Sequence, residues 1–351
     1  MMTVDSSAGA AVDKGRGQEP LGPWEPGKYV LRDAWFPVAH SQAIRRDPAR
    51  RFVHGQPFYL WRQGERLRAA ECHPAELKAR RGEASAFTTG GEYPVVERYG
   101  FAWVWYGDPA NAEADLIPDI PFLSPARGAP AYARQSNYFH CAYELVLENI
   151  LDLTHIDFVH GNFGGTHESE EDSVRVESTS ETVTMVRTTK RRPTSAYQKT
   201  VLGIRAPFQD VVFFTHVFIR SGVCFLHAHY SAAPSMPLIQ NNTPESRFLT
   251  RADSTFGVEQ CPDPYYRRNW PGTGPMVAAQ DERMLNPQNP HYVLAPPAAD
   301  NNNTRFDTAG LLYRRRHGAL VARQAAGDYS YQADMAKGSD IAEILQVKRV
   351  R

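Results

Sequence analysis

One stretch restricts this chain more than any other. Glu148-Asn149-Ile150-Leu151-Asp152-Leu153-Thr154-His155-Ile156-Asp157-Phe158-Val159-His160 sets two histidines and a carboxylate into an apolar run. Imidazole is the commonest metal ligand among side chains, and two histidines with one carboxylate hold Fe(II) while leaving positions open for oxygen and substrate. His155 and His160 are five residues apart, a rotation of about 140° on a regular helix. They can meet at one ion only if the helix ends or distorts between them, and Gly161-Asn162 and Gly164-Gly165 supply a stop just afterwards. Asp152 stands about one turn before His155, where its side chain is expected to hydrogen-bond a ligand ring. Any one histidine is more often a satisfied core residue than a ligand. An aspartate and two histidines within nine residues favour a metal.

The pattern Asn149-x-x-Asp152-x-x-His155-x-x-x-x-His160 resembles the iron site of the catalytic alpha subunits of Rieske non-heme iron oxygenases. The similarity is to the monooxygenase and demethylase branch, which includes vanillate O-demethylases and methylxanthine N-demethylases. It extends along the chain: Trp35-Phe36-Pro37-Val38-Ala39, Gly55-Gln56-Pro57-Phe58-Tyr59-Leu60-Trp61-Arg62 and Tyr93-Pro94-Val95-Val96-Glu97-Arg98-Tyr99-Gly100-Phe101-Ala102-Trp103-Val104-Trp105-Tyr106-Gly107-Asp108 resemble successive strands of the family, in its order. Gln280-Asp281-Glu282-Arg283-Met284-Leu285 resembles the segment that carries a third iron ligand. The resemblance implies metal ligands His155, His160 and Asp281, with Asp152 and Asn149 in catalytic support.

What should accompany that site is missing. The family holds a [2Fe-2S] cluster through Cys-x-His and Cys-x-x-His. This chain has four cysteines, Cys72, Cys141, Cys224 and Cys261, and none begins a Cys-x-His. At the expected place stands Ala69-Ala70-Glu71-Cys72-His73-Pro74, and only twenty residues lie between Cys72 and Tyr93. Cys224-Phe225-Leu226-His227 spells the second pair, but in strand-like sequence, where positions i and i+3 face opposite ways. The expectation is an Fe(II) site in a chain with no [2Fe-2S] cluster of its own.

Charge balances at 39 basic and 39 acidic residues, which points to neither nucleic acid nor a membrane surface. No apolar run approaches the roughly 20 residues that span a bilayer. Four unpatterned cysteines and the absence of a signal pattern fit a cytoplasmic location. The fold class expected is α+β. A disordered tail (residues 1–24) precedes a small antiparallel β unit (25–110), a degenerate Rieske-like domain. A helix-grip, START-like catalytic domain (111–351) follows. Within the latter the sequence predicts a helix over 143–160, strands over 174–189, 211–219, 223–230 and 248–255, a turn at Asn241-Asn242-Thr243-Pro244-Glu245, and a closing helix.

Other features have blander readings. His227 and His229 alternate on a strand and share a face, which can line a pocket; a metal there needs a third ligand such as His216. Phe208, Phe213, Phe214, Phe218 and Phe225 read mostly as core, some facing an apolar substrate. Arg45-Arg46, Arg50-Arg51, Lys190-Arg191-Arg192 and Arg314-Arg315-Arg316 read as solvated faces, one of them a candidate dock for an acidic electron-transfer partner. Residues 168–172 read as an acidic surface loop, and Asp307 as structural.

The resemblance implies an O2-dependent hydroxylation or oxidative demethylation of an apolar small molecule. Electrons would come from a Rieske-bearing homologue or reductase, in a trimeric or mixed oligomer. Two rivals are a non-catalytic subunit of such a complex and an iron enzyme that draws electrons from a co-substrate.

Overall fold

The computed structural model describes residues 31–79, 85–161, 172–294, 304–332 and 340–351. The N-terminal tail and residues 168–171 of the acidic loop lie outside them.

Seven strands come first: β1 (Ala34–His40), β2 (Ala49–Val53), β3 (Gln56–Gln63), β4 (Arg66–Ala70), β5 (Glu92–Tyr93), β6 (Val95–Arg98) and β7 (Phe101–Tyr106). They form two small antiparallel sheets, ordered β1-β7-β6 and β2-β3-β4-β5. Side chains alternate across a strand, and β1 and β7 use both faces. Ala34, Phe36, Val38, Ala102, Val104 and Tyr106 pack into a core between the two small sheets. Trp35, Phe101, Trp103 and Trp105 point the other way, into a core shared with the rest of the molecule.

That larger part is a seven-stranded antiparallel sheet ordered β8-β14-β13-β12-β11-β10-β9. Its strands are β8 (Arg134–Phe139), β9 (Ser173–Ser178), β10 (Thr182–Pro193), β11 (Phe208–Phe218), β12 (Val223–Tyr230), β13 (Leu238–Ser246) and β14 (Leu249–Phe256). On one face lie α1 (Tyr143–Leu151), α2 (His155–Phe158), α5 (Gly274–Leu294) and α6 (Thr308–Ala325); α3 (Ala196–Thr200), α4 (Pro264–Asn269) and α7 (Ile341–Leu345) are shorter. Leu147, Ile150 and Leu151 of α1 meet Val183, Met185 and Val217 of the sheet. Phe214, Phe225 and Ile239 project from the opposite face onto Phe122, Trp103 and Leu345. The fold is therefore α+β, a helix-grip sheet preceded by a small antiparallel β unit. Backbone bonds fasten the two: His54 N–H donates to Pro244 O at 2.6 Å and Gly55 N–H to Glu245 O at 2.8 Å.

Three local expectations change. Residues 174–189 are a hairpin rather than one strand, because Thr179 turns the chain, donating to Thr182 O at 3.1 Å and accepting from Thr182 N. Residues 241–245 run inside β13. Asn241, Asn242 and Thr243 are buried, and Asn242 Nδ2 finds Gly222 O at 3.1 Å, so tertiary partners replace the local bonds that make asparagines turn formers. Pro244 sits where the register with β14 shifts, a position that tolerates a missing donor. The helix over 143–160 is broken at Asp152, and the break builds the site.

Candidate metal centre

Helix α1 ends because Asp152 competes for the backbone. Its carboxylate accepts from Thr154 N at 2.9 Å and from the Thr154 hydroxyl, an Asx turn that stops the helix and starts α2 afresh at His155. The chain then redirects both histidines. His155 Nε2 and His160 Nε2 lie 3.2 Å apart, and Asp281 Oδ1, on α5, lies 3.5 Å from the first and 3.1 Å from the second. Among the described residues this is the one group of three or more His, Cys, Asp or Glu donors that all fall within 4.8 Å of one another.

The outer nitrogens reveal how the rings are set. His155 Nδ1 contacts the Asp152 carbonyl, and His160 Nδ1 contacts Gln280 Oε1 at 2.9 Å. A carbonyl oxygen only accepts, so each Nδ1 carries the proton and each neutral ring turns its Nε2 lone pair inward. Two lone pairs and a carboxylate oxygen then converge, a mutually repulsive set unless a cation is shared. The protein's own relief is to protonate His160. Burial pulls its pKa down, but the hydrogen bond and charge of Asp281, with Gln280 beyond, outweigh that and raise it. Two neutral imidazoles and a carboxylate are a donor set that suits non-heme Fe(II).

Asn149 joins the group, its Nδ2 donating to Asp281 Oδ1 at 3.2 Å. Asp152 departs from expectation: its backbone carbonyl, not its carboxylate, meets the His155 ring, because the carboxylate is held by Thr154. Helix α5 is positioned by polar clips, His140 N to Glu282 Oε2 at 3.0 Å and Ala142 N to Asn289 Oδ1 at 2.9 Å.

A second cluster anchors the turn. Arg187, fully buried, donates to Leu153 O at 2.8 Å, to Asp157 at 2.6 Å and to Asp172 at 2.6 Å, while Arg192 also binds Asp157. Arg192 and Asp172 are thus buried, not solvated, since each neutralises charge beside the apolar core. Arg314 likewise spends its charge on Glu148 at 2.5 Å. Asp157 carried a signal for this anchor, as an acid inside an apolar run; Gln280 carried none beyond its place before Asp281.

Two hollows flank the triad. An inner chamber of about 160 Å³, open to solvent and set between the sheet and α5, is lined by Leu153, Ile156, Phe213, Tyr230, Trp270 and Val277, among others. Ile156 adjoins His155, and Val277 is one helical turn before Asp281. An outer cleft of about 340 Å³ is lined by Glu148, Asn149, Asp152, His155, Leu311 and Arg314, and also by Asp307, whose carboxylate caps the Thr304 turn.

The remaining candidates do not converge. Cys72 packs with Trp61, Ala70 and Leu77, while the His73 ring meets Tyr59 edge-on at 5.4 Å. Cys224 and His227 face opposite sides of the sheet: the thiol contacts Gln240 O, and His227 Nδ1 the Leu345 carbonyl at 2.9 Å. His229 reaches the same carbonyl at 3.3 Å. His216 pairs with Thr184 at 2.7 Å and stacks on Phe225. Of the phenylalanines, Phe213 and Phe214 line the inner chamber, whereas Phe208 lies at the surface.

Comparison with known proteins gives a consistent picture. The family described as vanillate O-demethylase oxygenase C-terminal domain matches residues 139–323, more than half of the chain. The vanillate O-demethylase oxygenase subunit of a Pseudomonas species is 38% identical over 107 residues, 29% of this chain and 31% of that one. The dicamba O-demethylase oxygenase component of Stenotrophomonas maltophilia is 28% identical over 165 residues, 37% of this chain and 48% of that one. The chain thus spans less than half the length of these two curated relatives. A crystal structure of dicamba monooxygenase bound to 3,6-dichlorosalicylic acid superposes with a TM-score of 0.69 at 19% identity, covering 84% of this chain and 98% of that one. No helix among the described residues is long and apolar enough to cross a membrane.

Proposed function

The chain belongs to the vanillate O-demethylase oxygenase C-terminal domain family, and from that premise we propose that it is the oxygenase component of a non-heme iron monooxygenase or demethylase. His155, His160 and Asp281 hold Fe(II). The substrate is a small apolar, ring-sized molecule in the inner chamber, and the reaction is hydroxylation or oxidative demethylation. The observation that carries this reading is the pair of inward-facing Nε2 lone pairs around Asp281.

Bound iron supplies oxygen activation. Insertion of one atom of O2 into a C–H bond releases the other as water and consumes two electrons and two protons. The residues of this chain do the rest. Asp152 and Gln280 fix the two ring tautomers, Asn149 orients the Asp281 carboxylate, and the apolar chamber wall packs against the substrate's hydrocarbon and positions the reacting carbon. The electrons come from another protein, a Rieske-bearing homologue or reductase in a trimeric or mixed assembly, a reading supported by the lack of any Cys-x-His in this sequence. The outer cleft, where Asn149, Asp152 and His155 are reached from outside, is the face for that donor. The small β unit then serves as scaffold rather than electron store.

The test is iron and acid-labile sulfide on anaerobically purified protein beside its His155→Ala variant. The expected result is about one iron per chain without sulfide, lost in the variant, together with turnover from a competent Rieske donor that the variant lacks. No iron in either protein makes this a non-catalytic subunit. Turnover with iron, oxygen and substrate alone removes the need for the donor.

A further inference from the structure

Where the β9–β10 and β11–β12 turns meet, at one end of the seven-stranded sheet, lies a cavity of about 110 Å³. It shares no lining residue with either hollow beside the triad. Thr182 on its wall is five positions along β10 from Arg187, which is about 17 Å of extended strand. The walls are mostly apolar, built by Trp35, Ile117, Phe218, Tyr331 and Ile341. Most polar groups around it are already engaged. Arg220 and Glu181 are buried and bound to each other twice, at 2.9 and 2.6 Å, and Arg220 donates again to Tyr329 O at 2.7 Å. The Trp35 indole N–H donates to Glu113 O at 2.8 Å, and the Tyr331 hydroxyl to Asp33 O at 2.8 Å. The Thr182 hydroxyl pairs with that of Thr179 at 2.8 Å, Asp119 accepts from the Tyr99 hydroxyl at 3.0 Å, and Asp115 is exposed. Ser221 is the exception. It lines the cavity, it is 6% exposed, and its hydroxyl has no hydrogen-bond partner among the described residues. An unmet buried hydroxyl is costly, so a group that meets it there is favoured.

We propose that this cavity is a second small-molecule site, one that takes an uncharged aliphatic alcohol and holds its hydroxyl at Ser221. Size sets the first limit. The volume is several times the roughly 30 Å³ share of one water and below the roughly 150 Å³ that accepts benzene, so the occupant has about five heavy atoms. Charge sets the second. Arg220 and Glu181 neutralise each other, and an ion entering beside them would lose its hydration with no counter-charge to gain. The third comes from Ser221 itself, which both donates and accepts, as a ligand hydroxyl does. A single water would meet Ser221 but leave the hydrocarbon walls uncovered. A wider hollow of about 520 Å³ shares Leu116 and Tyr331 with the cavity and gives the route in. The site draws on none of the proposed iron chemistry and stands or falls apart from it.

Two tryptophans make the test local, because Trp35 lines this cavity and Trp270 the inner chamber. Their indole N–H resonances are assigned in full-length protein through Trp35→Phe and Trp270→Phe. Isobutanol and isobutyl chloride are then titrated as probes of nearly the same shape, the second with chlorine in place of the hydroxyl. In wild type, isobutanol is expected to shift the Trp35 resonance to saturation and to bind about 3- to 10-fold more tightly than the chloride, the range of one net hydrogen bond. Ser221→Ala should bind the two probes equally while keeping the wild-type affinity for the chloride, a result that a merely structural serine does not produce. Ser221→Leu, which fills the cavity, should leave Trp35 unmoved by either. The proposal is overturned if the wild-type Trp35 resonance responds to neither probe, which makes the cavity a water site, or if Trp270 alone responds. It is also overturned if Ser221→Ala keeps the preference or Ser221→Leu still binds. Ser221→Ala removes one atom, so its result decides the matter even where Ser221→Leu fails to fold.

Discussion

Two buried polar clusters lie side by side, and each draws on residues of the same short turn. In one, His155, His160 and Asp281 gather around a single carboxylate with no lysine or arginine among the three. In the other, Arg187 and Arg192 meet Asp157 and Asp172 with unlike charges in direct contact. The second cluster balances itself and holds the turn to the sheet through the Leu153 carbonyl. The first has no fixed positive charge, and a proton on His160 or a bound cation is what can balance Asp281 there. A permanent guanidinium inside the cluster therefore marks the structural network, and its absence is what fits the first cluster to the ligand role proposed for it.

The sharpest way to break this contrast is to truncate the triad. Asp281→Ala is expected to abolish iron binding, read by metal analysis, while the melting temperature of the iron-free protein stays within a few degrees of iron-free wild type. A collapse of the iron-free variant would make the triad structural after all. Asp157→Leu should do the opposite. It takes from Arg187 and Arg192 the carboxylate they share, leaving Asp172 on Arg187, and should lower unfolding free energy by about 3–5 kcal/mol in denaturant titrations. If the loss is below about 1 kcal/mol, the arginine cluster is not the anchor.

Gln280→Leu sharpens the comparison at the edge of the triad. It removes the acceptor that fixes the His160 tautomer and should weaken iron affinity about 10- to 100-fold in chelator competition, with little change in stability.

The smallest effect is on pH. Burial raises the Glu144 carboxyl from 4.5 to about 7. As pH rises from 4.5 to 7 the unfolded chain gives up a proton that the native one keeps, so stability falls through that window and stays lower above it. Glu144→Gln should flatten that decline and raise the melting temperature at pH 8 by a few degrees. Burial acts in the reverse sense on His54 and His317, lowered from 6.5 to about 3 and about 4. Their cost appears as pH falls below 6.5, and it should persist in the Glu144→Gln variant. A variant with the wild-type slope between pH 5 and 7 would show that Glu144 is not the group responsible.

Much of the architecture was legible because strand-forming residue types cluster in it. Aromatic and β-branched composition marked β12 to the residue and β11 to within three residues at its start. Asn241 to Pro244 misled because their turn preference is a local property, and burial beside Gly222 overrode it. Arg192 and Asp172 misled for a related reason: a charged residue reads as solvated until its partner, distant in sequence, is known.

The sequence by itself determined the α+β order of elements, the apolar motif with its two histidines, and the absence of any Cys-x-His. These are properties of spacing and residue type, which need no third dimension. Tertiary structure alone decided that Asp281 crosses 121 positions to meet His160 at 3.1 Å, that Asp152 acts on His155 through its carbonyl, and that Gln280 sets the second ring. Such pairings depend on how α5 docks against the broken end of α1. That docking is a sum of many packing and hydrogen-bond terms spread over the chain, and no local pattern encodes it.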